Sequence, residues 1–137
     1  MDVAVNNAGG APFTGFASAS PRFHRGVTDL NFLAGVFVAQ AVHPVMSAQD
    51  SGGVVLNVTS ISARRPSPGT AVYGAVKAAL ESVTRSLAVE WAPRIRVDAV
   101  RLAAHITGAV LNVDGGGEWP AFLRHAPGTE KPPGSAP

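Results

Sequence analysis

Three short apolar runs, rich in β-branched residues and separated by two helix-length amphipathic stretches, leave this chain few folds to choose from. Asp2 to Val5, Val54 to Val58 and Ile95 to Val100 read as strands. Between them, Arg22 to Ser47 and Ala71 to Trp91 carry apolar residues at threes and fours, the spacing of one helix face. In the first stretch the stripe is Val27, Leu30, Phe37, Ala41 and Val45, with Leu33 and Ala34 filling its gap. In the second it is Val72, Val76, Leu80, Val83, Leu87 and Trp91. A helix between two strands carries the chain back to the start of the next strand, so this order predicts an α/β fold with a parallel sheet.

The punctuation agrees. Ser20 and Pro21 form a helix-start signal, Ser51-Gly52-Gly53 breaks the first helix and Pro93 ends the second. Asn6-Asn7-Ala8-Gly9-Gly10 follows the first strand as a sharp loop where backbone passes close to something. Ala109 to Val113 reads as a fourth strand, closed by Asp114-Gly115-Gly116-Gly117, and Trp119 to Arg124 as one helical turn. From Ala126 onward Pro, Gly, Ser and Lys dominate, so the expected organisation is one domain over 1–125 and a disordered tail over 126–137. One step breaks the pattern. Only Arg101 to Gly108 connect the third and fourth strands, too few for a parallel crossover.

Composition narrows the function classes. With 46% apolar and 15% charged residues in 137, the chain can bury one core. The net charge is +2, and the tight basic pairs Arg64-Arg65 and Arg94/Arg96 have no aromatic residues interleaved, which argues against nucleic-acid binding. The absence of cysteine excludes disulfides and thiolate chemistry. The four histidines have no metal-ligand spacing. The N-terminus does not read as a signal peptide, and Gln40, His43 and Pro44 interrupt the apolar run from Phe32 to Met46, so no membrane association and a cytoplasmic location are expected.

Tyr73 and Lys77 lie four apart at the start of the second helix, and so on one face. A nearby ammonium favours a phenolate, and a tyrosine so assisted can pass a proton to or from an alcohol or ketone. Ser60 ends the second strand, at the carboxyl edge where open α/β sheets bind ligands, and its hydroxyl could donate to a developing alkoxide. By itself a Tyr-x-x-x-Lys pair is more often a tyrosine lying on a lysine stem at a helix surface.

Four segments in matching order change that balance. Val5-Asn6-Asn7-Ala8-Gly9, then Leu30-Asn31 with Gly35-Val36-Phe37, then Asn57-Val58-Thr59-Ser60 through Tyr73-Gly74-Ala75-Val76-Lys77, and finally Ile106-Thr107-Gly108 with Val113-Asp114-Gly115-Gly116 resemble the short-chain dehydrogenase/reductase (SDR) family, and Arg64-Arg65-Pro66-Ser67-Pro68-Gly69 with Gly117 to Leu123 resembles its bacterial members. The resemblance implies a Rossmann-like fold and reversible hydride transfer between NAD or NADP and a secondary alcohol or ketone. It implies Tyr73 as general acid/base, Lys77 on the nicotinamide ribose, Ser60 on the substrate oxygen and Asn31 holding a proton-relaying water. Asn7, Ala8 and Gly9 would line the cofactor cleft, which Tyr73 and Lys77 also touch. It further implies association with another copy, or with a full-length relative, through the two helices.

The chain also departs from the family. It opens at what resembles the family's fourth strand, and no TGxxxGxG or GxGxxG occurs in it, so the backbone amides that hold a pyrophosphate are not supplied by these residues. Arg101-Leu102-Ala103-Ala104-His105 stands where the family runs into a Pro-Gly turn and a substrate lid. Asp98 replaces a usual asparagine. The expected architecture is therefore a partial sheet of about four strands, its first strand an exposed apolar edge. Two rival readings stay open: a non-catalytic interaction module, and a truncated product without independent function.

Overall fold

The computed structural model describes residues 1–102. The expected strand at 109–113, the turn at 119–124 and the tail from 126 lie outside the described residues. Three strands, β1 (Val3–Asn6), β2 (Gly53–Ser60) and β3 (Ile95–Leu102), form a parallel sheet in the order β1-β2-β3. Val3 to Asn6 pair with Val54 to Asn57, and Gly53 to Ser60 with Ile95 to Leu102. The connections are helical, as the alternation of periods requires. Pairing carries β2 and β3 two residues beyond their apolar runs, so Thr59 and Ser60 sit in the last positions of β2 opposite Arg101 and Leu102.

The first connection is one continuous helical run in three parts: α1 (Pro21–Thr28), a π-helical turn (Asp29–Leu33) and α2 (Ala34–Ser47). Ser20 caps it as expected, its hydroxyl accepting from the Phe23 amide at 3.1 Å with Pro21 in the first turn. The second connection, α3 (Ala71–Glu90), follows a short 3₁₀ turn at Ile61–Ala63. α3 buries Val76 and Leu80 of its expected stripe, with Val72, Val83, Leu87 and Trp91 half-buried.

The stripe expected on the first helix is corrected by the structure. Leu30, Phe37 and Val45 are 46%, 60% and 47% exposed, while Val27, Asn31, Ala39, Val42 and Met46 face inward. A π-turn spends an extra residue per turn and rotates everything after it by about 100°, so a 3.6-residue pattern extended through it selects the wrong face.

The apolar core lies toward the amino ends of the strands. Val42 and Met46 of α2 pack on Val55, Ile95 and Val97, with Ala4, Leu87, Ala88 and Trp91 around them. Val3 and Val5 at the β1 edge are 57% and 56% exposed, as an uncovered edge predicts. By length and composition alone the run Pro21–Ser47 could cross a membrane, a test that the core helix of a soluble protein also passes. Here it lies along the sheet through Ala39, Val42 and Met46.

Candidate active site

At the carboxyl ends of the same strands the interior turns polar. Lys77, on the inner face of α3, is 3% exposed. Its ammonium donates to the Val58 carbonyl of β2 at 2.9 Å and lies 5.8 Å from the centroid of the Tyr73 ring, one helical turn earlier. Burial holds its pKa below the ordinary lysine value, since a charge out of water is disfavoured. No carboxylate is bonded to it among the described residues. A desolvated cation fixed on a backbone oxygen is costly unless something else uses it.

The loop after β1 closes over this cation. A Cβ on Gly9 would meet Asn31 Oδ1 at 2.7 Å and Lys77 Nζ at 3.0 Å, so only glycine lets the loop pass between them. Asn31, in the π-turn, holds the next residue from both sides. Its Oδ1 accepts from the Gly10 amide at 2.8 Å, and its Nδ2 donates to the Gly10 carbonyl at 2.9 Å and to Val27 O at 2.9 Å. The π-turn thus aims a 2%-exposed amide at a peptide group 21 residues earlier. Asn7, Ala8 and Gly9 themselves are exposed. Asn6 points the other way, donating to Asn57 Oδ1 at 2.8 Å, and Asn57 donates to Thr84 at 3.0 Å. That chain of amides ties β1, β2 and α3 together beneath the loop.

Ser60 ends β2 and caps the 3₁₀ turn, its Oγ accepting from the Ser62 amide at 3.2 Å. The turn rests on the backbone of α3 beside Tyr73, because a Cβ on Gly74 would stand 2.7 Å from the Ser62 carbonyl. Tyr73 is half-buried and lines a cavity of about 10 Å³ with Phe16, Phe23, His24 and Thr70. The His24 ring lies tilted against Phe16 and edge-on to Phe23, and its Nδ1 is buried with no hydrogen-bond partner among the described residues. The structure therefore gathers Gly9, Asn31 and Lys77 directly and brings the turn after Ser60 against the helix of Tyr73. Asn7 and Ala8 stand at the rim.

One group was not legible in the sequence. Glu81, one turn beyond Lys77 and buried, accepts from Arg101 at 2.9 and 3.0 Å, from Arg64 at 3.1 Å and from the Thr59 hydroxyl at 3.2 Å. Burial alone would push its pKa up. The hydrogen bonds from Arg101 and Arg64, the Arg101 charge and the Thr59 bond outweigh that and hold it below the usual carboxylate value. The only hint in the sequence is an acid four residues after Lys77, on the same helix face. Its partners lie 17 and 20 residues away in the chain.

The sequence profile described as "Enoyl-(Acyl carrier protein) reductase" matches residues 1–103. A relative from Mycobacterium tuberculosis, "Uncharacterized oxidoreductase MT0954", is 32% identical over 92% of this chain and 48% of its own length. "Dehydrogenase/reductase SDR family member 4" of Homo sapiens is 38% identical over 73% of this chain and 36% of its own. A solved 7α-hydroxysteroid dehydrogenase, complexed with NADH and 7-oxo glycochenodeoxycholic acid, superposes with a TM-score of 0.67 at 31% identity, over 72% of this chain and 38% of that one. The chain spans less than half the length of each of these relatives. By profile, relatives and fold together, it belongs to the short-chain dehydrogenase/reductase family.

Proposed function

We propose that these residues form the catalytic half of an NAD(P)(H)-dependent oxidoreductase acting on a secondary alcohol or ketone. The observation that carries this reading is Lys77, a buried ammonium fixed by Val58 between the Tyr73 ring and the Gly9 gap. A cation so placed suits the hydroxyls of a ribose, and a backbone with no Cβ leaves room for one, so the residues present fit the nicotinamide end of a dinucleotide. When bound, the cofactor supplies or takes the hydride. The chain's own part is the proton. The Tyr73 hydroxyl passes a proton to the substrate oxygen as a ketone is reduced, and takes one back in the reverse direction. Ser60 Oγ, which only accepts in its turn, keeps its own hydrogen for that oxygen. Asn31 fixes the Gly10 peptide, and with both Nδ2 hydrogens spent it offers a relay water one remaining Oδ1 lone pair. Asn7, Ala8 and Gly9 wall the cofactor side. This reading implies a cytoplasmic setting and leaves the pyrophosphate to be held by residues outside this sequence.

Titration of the purified chain with NADH and with NADPH, read as energy transfer from tryptophan, tests it. Saturation in the micromolar range, abolished in Lys77→Ala, is expected. A folded chain that takes up neither nucleotide would leave the site a relic.

A second role is favoured by the exposed faces. Leu30, Phe37, Val38 and Val45 on the first helix and Val3 and Val5 on the sheet edge present apolar surface that another copy, or a longer relative, would cover. Light scattering at micromolar concentration should then give a mass above that of one chain; a clean monomer would count against the pairing.

A further inference from the structure

Ser60 is bracketed by residues that answer to one carboxylate. Thr59, immediately before it, donates to Glu81 Oε1, and Arg64, in the segment after its turn, donates to Glu81 Oε2. Arg101, opposite Thr59 in β3, grips both oxygens with its Nε and Nη2. Glu81 is carried by the same helix as Tyr73, two turns on, and Lys77 between them is bonded to Val58. The last three residues of β2 before the turn are thus tied to α3 at Val58 and Thr59, and the segment after the turn is tied to it at Arg64. Among the described residues Glu81 touches neither the Tyr73 ring nor the Ser60 hydroxyl.

We propose that Glu81 is a positioning residue for Ser60: by holding Thr59, Arg64 and Arg101 at once, it fixes the end of β2 and the following turn on α3, and so sets the reach of the Ser60 hydroxyl relative to Tyr73. This rests on the reading of Ser60 and Tyr73 as the reacting pair. The physical reason is geometric. A carboxylate accepts from several donors at defined angles, and a guanidinium that is bidentate on it cannot pivot. An apolar residue at 81 could fill the same space but would leave the angle of the turn to loose packing. Gly74 removes the remaining obstacle by letting the Ser62 carbonyl rest on the helix.

The Ser62 amide reports the rotamer of Ser60, because its hydrogen bond ends on Ser60 Oγ. The test is amide hydrogen exchange on the full chain without cofactor, comparing the parent, Glu81→Gln and the double variant Glu81→Met/Arg101→Met. In Glu81→Gln, Ser62 exchange should rise by about tenfold while the Val55 and Val97 amides of the core keep their protection, the pattern of a local opening. In the double variant the buried carboxylate and its bidentate partner are gone together, so global stability should recover, yet Ser62 exchange should stay fast. Recovery of both together would make Glu81 merely structural and overturn the proposal. Unchanged Ser62 exchange in Glu81→Gln, or a rise only in step with Val55 and Val97, would overturn it as well. Because exchange is read without nucleotide, a failed NADH titration would sink the catalytic reading and leave this result standing on its own.

Discussion

The two ends of the sheet are built from the same strands and the same helix but on opposite principles. At the amino end, Met46, Val55 and Ile95 are at most 1% exposed and carry no polar side-chain atom. At the carboxyl end, Asn31, Asn57, Thr59, Lys77 and Glu81 are nearly as deeply buried, at 2 to 6%. Hydrocarbon burial stabilises by about 25 cal/mol per Å² and asks for no particular partner. Buried amides and charges break even only when every atom is bonded, and among the described residues Lys77 is bonded to a single carbonyl. The first end holds the fold together. The second keeps a buried cation on the Val58 carbonyl and holds its helix against the turn that follows Ser60.

The comparison can be broken at either end. The largest effect belongs to Met46→Ala: it should destabilise the chain by about 3 kcal/mol, seen in urea unfolding, because the hole opens under the Gly53 backbone and between two strands. Glu81→Gln comes next, at about 1.5 kcal/mol, since Arg101 and Arg64 lose a charged acceptor but, 36% and 60% exposed, stay solvated without it. Its pH signature follows from the lowered carboxylate. The stabilisation is complete above the ordinary value of 4.5 and is lost as pH falls through the lower folded value, so the parent should lose stability in acid and Glu81→Gln should lose less. Gly74→Ala should cost about 1 kcal/mol or more and, with the core intact, speed Ser62 exchange, because the new methyl meets the Ser62 carbonyl. A Gly74→Ala chain with parental exchange at Ser62 would show that the turn is not held against α3.

The smallest effect has the opposite sign. Lys77 has a folded pKa lowered by burial, so above that value the unfolded chain binds the extra proton and stability rises with pH until the ordinary value of 10.5 is passed. Removing the charge should remove this slope and stabilise the chain by about 1 kcal/mol, while abolishing nucleotide binding.

How much of this was legible in the sequence depends on distance along the chain. The three strands and α3 follow from local periodicity, and Tyr73 and Lys77 fall on one face because four residues make about one turn. The Ser20 cap and the Asn-Gly loop are equally local. The inward face of the first helix was misread because nothing in Asp29-Leu30-Asn31-Phe32-Leu33 announces a π-turn. Its use is visible only in three dimensions, where Asn31 reaches the Gly10 peptide. The Glu81 cluster failed for the same reason: charges on a strand, a loop and a helix cannot be paired until the sheet register puts Thr59 beside Arg101. Gly9 and Gly74 stood in the quoted motifs, but their purpose, passage between Asn31 and Lys77 and contact with Ser62, is a matter of ångströms.

The most direct test of the division between a stabilising end and a costly, functional one is urea unfolding of Lys77→Met beside the parent at pH 7. A midpoint moved upward with an unchanged slope is the predicted result: the buried ammonium is a burden on the fold that only a ligand justifies. A midpoint moved downward would mean that Lys77 is itself part of what holds the sheet and α3 together, and the contrast between the two ends would be wrong.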